Sequence, residues 1–571
     1  MSTHKKIDAV CIVVALLSVA LTILFMNGEA FGIAVAASGD AGDGMFTGND
    51  LDADWDTSAA TRITLSDSGS AVSGSGAYIY DGDVYIVYPG RYALTGGLTN
   101  GSVIVTASRT DKIWLQLDGA ELSCDDDAAL RVEQAGKVFL TLAEGSSNMI
   151  SSGAAYSAEI ADSGVDGAIY SRDDLTINGS GSLLVSAAYK HGIVCNDDLV
   201  ITGGNITISA VQDGIHANDS VRIRDAALSI SAGDDGITVS NDDETAFLYV
   251  ESGSITIPAC YEGLEAIDVT IAGGTIDIVS ADDGINANGS GAGSVIRVTG
   301  GDITVTNPSG RDADGFDSNG SIYIEGGNIL ISVADSGSNS ALDYGSENGG
   351  ECVISGGTVI ACGSSAMAEG FASSSPQGFL MVNMTAAAGT KVSLEAASGQ
   401  ELFSAEIPCA FSSVVLSTPE LKLGDVCTLT AGGAEEQVTI DNTSTSGFAA
   451  AGMFRGGMRD ERDGGAMSGG QQPPENPGQE GGPSGNNAGM RPPEDMQLPE
   501  DQAEGRQFPS DFQQTGLGGE MPDRQNGRGG FPGETSDEAA PVEIDGGSVV
   551  LLAVSALVLL AGLAIAFKFR R

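Results

Sequence analysis

The sequence predicts an all-β chain built around a parallel β-helix, closed by a small β cap and followed by a disordered linker and a C-terminal transmembrane helix. Three observations predict it. A tripeptide of an acid, a glycine and an apolar residue recurs through the middle of the chain. Each copy is followed by short alternating triplets separated by Gly-Gly. An apolar run from Val549 to Phe567, followed by Lys568, Arg570 and Arg571, ends the chain.

The tripeptide reads Asp166-Gly167-Ala168, Asp213-Gly214-Ile215, Asp235-Gly236-Ile237, Glu262-Gly263-Leu264, Asp283-Gly284-Ile285 and Asp314-Gly315-Phe316, with His191-Gly192-Ile193 as a variant. Its glycines are spaced 25, 22, 22, 27, 21 and 31 residues apart. After Gly192 come Leu199-Val200-Ile201, Gly203-Gly204 and Ile206-Thr207-Ile208, and the order repeats after Gly263 and Gly315. Alternating triplets are the mark of short strands with one buried face, and Gly pairs mark turns. Three strands and three turns in about 22 residues make one coil of a solenoid. Propeller blades need about 40 residues, and leucine-rich repeats need a Leu-x-x-Leu-x-Leu pattern. Neither is present, nor is the calcium-binding nonapeptide repeat.

The domain reading follows the composition. Residues 1–37 hold Lys5, Lys6 and an apolar run from Ala9 to Met26, which fits a signal peptide cleaved near Ala34-Val35-Ala36 or a retained membrane anchor. Residues 38–79 are an N-terminal lead-in, 80–380 the parallel β-helix and 381–446 the cap, where longer β segments such as Lys391–Leu394 replace the triplets. Residues 447–546 are rich in Gly, Pro and Gln without a hydrophobic period, which predicts a disordered linker. Residues 548–567 are the expected transmembrane helix and 568–571 a basic tail. The positive-inside rule puts that tail in the cytoplasm and the bulk of the chain outside the cell membrane.

The formal net charge is −51, which makes nucleic acid an improbable partner. Eight cysteines form no CxxC pair, which argues against zinc. Cys352/Cys362 and Cys409/Cys427 could pair, or the thiols could be small buried side chains.

Coils in register stack equivalent residues into columns. The residue before each glycine gives Asp213, Asp235, Glu262, Asp283 and Asp314, with Asp234, Asp282, Asp312, Glu265 and Asp317 beside them. Between residues 161 and 345 there are 28 Asp or Glu against 6 Lys or Arg. Unit charges about 4.8 Å apart repel by about 1 kcal/mol in water and several-fold more near a protein surface. Cations relieve such a column. Ca²⁺ suits it, because it takes about 6–8 oxygen ligands. Soft metals lack His and Cys at suitable positions, and His191 and His216 read as turn or surface residues. Asp and Asn also form turns by bonding the local backbone, so any single acid reads first as a turn residue, and it is the array that points to calcium.

The acid-Gly-Ile coils, the Gly-Gly turns, the apolar N-terminal run and the Pro/Gly/Met-rich tail together resemble the clostridial cell-surface carbohydrate-binding family, over about residues 40–445. The resemblance implies a right-handed helix like that of polysaccharide lyases. It also implies calcium sites and binding of polygalacturonate or cellulose-like polysaccharide without established catalysis. The rival is a calcium-dependent lyase, which needs a base beside the metal. Its candidates are Lys190, Arg222, Arg224, Arg297 and Arg311. Arg311 lies nearest the densest acids and is also read as a solvated charge offsetting them. A surface spacer without a sugar ligand is a third reading. Trp55, Trp114, Tyr170, Tyr189, Tyr261, Tyr323 and Tyr344 are the aromatic side chains available to stack on sugar.

Overall fold

The computed structural model describes residues 44–445 apart from 57, 242–244, 309–312 and 443. One coil shows why the sequence folds as it does. It comprises strands His191–Cys195, Asp198–Ile201 and Asn205–Ala210. The next comprises Ile215–Ala217, Ser220–Ile223 and Ala227–Ala232. They pair in parallel without slippage: Ile193 with Ile215, Leu199 with Val221 and Ile206 with Leu228. Ile193, Leu199, Ile201, Ile206 and Ile208 point inward and are fully buried. Each contributes roughly 1.5–3 kcal/mol of burial. Repeated coil by coil, they form one continuous apolar column. Parallel pairing runs from Thr61–Ser66 to Cys352–Gly363.

Glycine is required where coils press together. A Cβ on Gly236 would lie 2.5 Å from the Gly263 carbonyl oxygen and 2.6 Å from Ile257 Cδ1. The same crowding from the next coil fixes the glycine of each tripeptide. At the Gly203-Gly204 turn, Gly203 abuts the Gly179 carbonyl, while Gly204 has φ +90°, a conformation that disfavours a side chain.

Both ends of the solenoid switch to antiparallel pairing. Ala77–Tyr80 and Asp83–Ile86 form a hairpin at the first coil. At the far end Phe411–Ser417 runs antiparallel to Cys352–Gly363, covering the last open edge. Strands Thr390–Ala396, Glu401–Ile407, Val426–Ala431 and Ala434–Thr439 form a separate antiparallel sheet. Its Val392, Leu394, Ile407 and Leu429 pack in one buried cluster with Ile360, Leu380 and Leu416 at the end of the solenoid sheet. The segment 45–50 lies along the coils: Asp50 is buried, ion-paired with Lys137 at 3.0 Å and hydrogen-bonded by Thr176 at 2.6 Å. All seven described cysteines are buried free thiols, so neither suggested disulfide is formed.

The membrane reading is corrected. A crossing helix needs about 20 apolar residues. The α-helix found among the described residues is Ala158–Asp162, of five residues. No helix among the described residues is long and apolar enough to cross a membrane. The expected span at 548–567, its basic tail, the linker and the N-terminal run lie outside the described residues. What the structure carries is the all-β solenoid and its cap, and the reading of a transmembrane, membrane-anchored protein at the cell membrane is withdrawn.

Candidate functional site

Four of the acids before the glycines, Asp213, Asp235, Asp283 and Asp314, are tied to the coil that follows. Asp213 Oδ1 accepts the N–H of Asp235 at 3.4 Å, Asp235 Oδ1 that of Glu262 at 3.0 Å and Asp283 Oδ1 that of Asp314 at 2.7 Å. Asp314 Oδ1 accepts the N–H of Ser340. His191 takes the same place one coil earlier, its Nδ1 accepting the N–H of Asp213 at 3.3 Å. The column is thus a ladder in which one oxygen of a carboxyl serves the fold.

A second outward column runs beside it, along the middle residues of the same strands. Its pairings are His216 with Thr238, Thr238 with Glu265, Glu265 with Asn286, Asn286 with Asp317 and Asp317 with Asp343. Ligand atoms of Asp213, Asp234 and Asp235 lie within 4.8 Å of one another, as do those of Asp283, Asp314 and Asp317. Both groups are compatible with a metal ion. Glu262 and Glu265 sit between them, hydrogen-bonded by Asn286 at 2.9 Å and Asn288 at 2.5 Å. The charge of Asp282 adds to that of the column at Asp283, Glu262 and Asp317. Asp312 lies outside the described residues.

Burial and mutual repulsion raise several of these carboxyls. Burial, then the Glu265 charge, pushes Asp235 up to about 8 and Glu262 up to about 9. Burial and then the Asp317 charge raise Asp283 well above the usual carboxylate range. Asp213 runs the other way. Its burial would raise it, but hydrogen bonds from His191 and His216 outweigh that and hold it low. His191 and His216, read from sequence as turn or surface residues, converge on this one carboxyl.

Asp343, Glu347 and Glu369 extend the acidic surface beyond Asp317. Burial, then Asp343, pushes Glu369 up to about 7. Sequence reasoning missed Asp343 because Ser340-Ala341 replaces the acid-Gly pair there. The register Phe316 with Leu342 was the signal that could have found it.

The aromatic side chains singled out in the sequence are largely engaged elsewhere. Tyr170 is buried, Trp114 stacks on Phe139 and Tyr189 packs on Tyr156. Arg91 lies over both Trp55 and Trp114, and Arg297 over Tyr323. The exposed aromatic surface is instead on the N-terminal hairpin, where Tyr78 is 48% exposed and Tyr80 68%. Tyr78 stacks on Tyr85 with centroids 5.2 Å apart. Tyr85 lies on the same sheet as the acid columns, aligned with Ile104.

The described lyase-base candidates are all ion-paired. Lys190 pairs with Asp166 at 3.3 Å, Arg222 with Asp198 at 2.6 Å and Arg224 with Glu251 at 3.1 Å. Arg297 pairs with Glu325. Arg311 lies outside the described residues.

The chain is thus a parallel β-solenoid with stacked acids along one sheet and exposed tyrosines at the head of that sheet. A family model described as carbohydrate-binding domain-containing protein matches residues 80–398, more than half of the chain, and the chain belongs to that family. A carbohydrate-binding domain-containing protein of Acetivibrio thermocellus is 35% identical over 145 residues, which is 25% of this chain and 51% of the relative. The chain therefore spans about half the length of that relative. Among solved structures, a polysaccharide lyase-like protein from C. thermocellum, a gadolinium derivative, is similar. It is 29% identical with a TM-score of 0.35, over 47% of this chain and 93% of that one.

Proposed function

We propose that the outward face of the solenoid binds a polysaccharide, with Ca²⁺ seated in the carboxylate columns as the bridge to acidic sugars such as polygalacturonate. The observation that carries this reading is the grouping of Asp283, Asp314 and Asp317, three carboxyls from two adjacent coils within metal-ligand reach. A hard dication suits an all-oxygen donor set. It also offsets the carboxylate repulsion that, after burial, raises Asp283 and Asp317. Calcium on the protein face leaves coordination positions for sugar carboxylates, which the bare acidic face would repel. The ten acids expected from sequence remain the proposed ligand set, with Asp312 placed in it by sequence alone.

Cleavage is the second reading, favoured by the two imidazoles beside Asp213. β-Elimination from a uronate needs a base next to the cation that neutralises the carboxylate, and these rings stand at one end of the column. Incubating the full chain with polygalacturonate and Ca²⁺ separates the readings. Co-sedimentation that chelator abolishes, with no unsaturated product absorbing in the ultraviolet, supports binding. Accumulation of that product supports cleavage. Neither response, or sedimentation indifferent to chelator, contradicts the calcium-bridged reading.

A further inference from the structure

Two histidines and an aspartate meet where the ladder of acids begins. His191 and Asp213 occupy successive places in the column, and His216 projects from the strand that follows Asp213. Nδ1 of His191 lies 3.0 Å from Asp213 Oδ2, and Nδ1 of His216 lies 2.8 Å from the same oxygen. The side chain of Asp213 is 7% exposed, that of His191 13% and that of His216 30%, so the group opens to solvent on the His216 side. Asp213 Oδ1 is occupied by the N–H of Asp235, and carboxyl oxygens of Asp234 and Asp235 lie within 4.8 Å of the Asp213 carboxyl.

One ligand atom each of His191, Asp213 and His216 lie within 4.8 Å of one another, so a single ion could reach all three. His191 Nδ1 also lies 3.3 Å from the backbone nitrogen of Asp213, and a metal ion on that ring nitrogen would take the place of this long hydrogen bond. Metal–nitrogen and metal–oxygen bonds of about 2.0–2.2 Å in a tetrahedral site place donors about 3.3–3.6 Å apart, so a bound ion would spread the rings slightly from the 3.0 and 2.8 Å at which they stand. Behind the group, Asp166 Oδ2 lies 4.0 Å from His191 Nε2. A carboxylate on the far ring nitrogen is the usual second partner of a metal-bearing imidazole.

We infer that His191, Asp213 and His216 form a site for a first-row divalent transition ion of the zinc type, separate in chemistry from the all-oxygen groups further along the column. Imidazole nitrogen selects such ions, whereas calcium is held by oxygen. Three protein donors leave positions open on the His216 side. On the polysaccharide-binding reading, a sugar hydroxyl or carboxylate fills one of them. A metal on these rings also removes them as free bases, so a loaded site and imidazole-driven cleavage exclude each other.

The test loads the untagged full chain with Zn²⁺ in a large excess of Ca²⁺, desalts it and measures bound metal by mass spectrometry. The wild type is expected to keep about one zinc per chain, and Asp283→Asn to keep the same. His216→Ala, at the exposed edge, is expected to weaken retention at least about tenfold. Titration of the unaltered chain with Co²⁺ gives a second readout that needs no variant, since nitrogen ligation produces characteristic visible absorption. No zinc retained by the wild type, equal retention by a folded His216→Ala, or no cobalt spectrum overturns the site. Zinc retained without any polysaccharide binding overturns the sugar reading and leaves the site standing.

Discussion

Asp283 shows how one side chain serves fold and chemistry together. Its Oδ1 fixes the N–H of Asp314, and the carboxyl also belongs to the group with Asp314 and Asp317. Asp235, Glu262 and Asp283 are all raised by burial and by neighbouring carboxylates. Between the unfolded carboxylate range near pH 4 and the folded value of about 8 for Asp235, the folded chain binds more protons than the unfolded one. Its stability therefore falls as pH rises through that window. Thermal unfolding in chelator is expected to show a Tm that drops from pH 4 to pH 8, and calcium to remove the drop. Asp283→Asn keeps the acceptor for Asp314 and removes the ionisation. It is expected to stabilise the chelated protein at pH 7 by at least about 1 kcal/mol, the worth of one pKa unit, and to reduce the gain from calcium. A flat profile in chelator would contradict this account. At this scale the acids were legible because they sit in a recurring tripeptide. The convergence of His191 and His216 was not, because it depends on His191 taking the place of an acid in a column one coil away.

Strands and turns were the most legible elements. The Gly-Gly pairs mark real turns, since Gly203 abuts a neighbouring carbonyl and Gly204 adopts positive φ. The tripeptide glycine answers to contacts that sequence alone does not display, such as the carbonyl of the following coil and the isoleucine on the third strand of its own coil at Gly236. Gly236→Ala must push against Gly263 backbone and Ile257. It is expected to cost about 1–3 kcal/mol in denaturant unfolding, as overpacking does; an unchanged midpoint would show that the coils have slack. The exposed tyrosines escaped notice because their hairpin precedes the first clear repeat. Tyr78 stacks on Tyr85 across an antiparallel pair that no repeat announces.

At the scale of the molecule, a repeat of about 22 residues converts local composition into a surface. A single acid-Gly-apolar unit is a turn, whereas a stack of them is a line of carboxylates at strand spacing. The solenoid was legible because its signal is periodic and the cap because longer β segments replace the triplets, and the family assignment agrees with the carbohydrate-binding resemblance. The membrane span was inferred from an apolar run, and no helix among the described residues supports it. The central claim is that the carboxylate face is a calcium site, and calorimetric titration of the full chain with Ca²⁺ tests it most directly. Saturable binding that weakens sharply in a variant carrying both Asp283→Asn and Asp317→Asn is the result this account predicts. No saturable heat in the wild type, or an isotherm that the double substitution leaves unchanged, would contradict it.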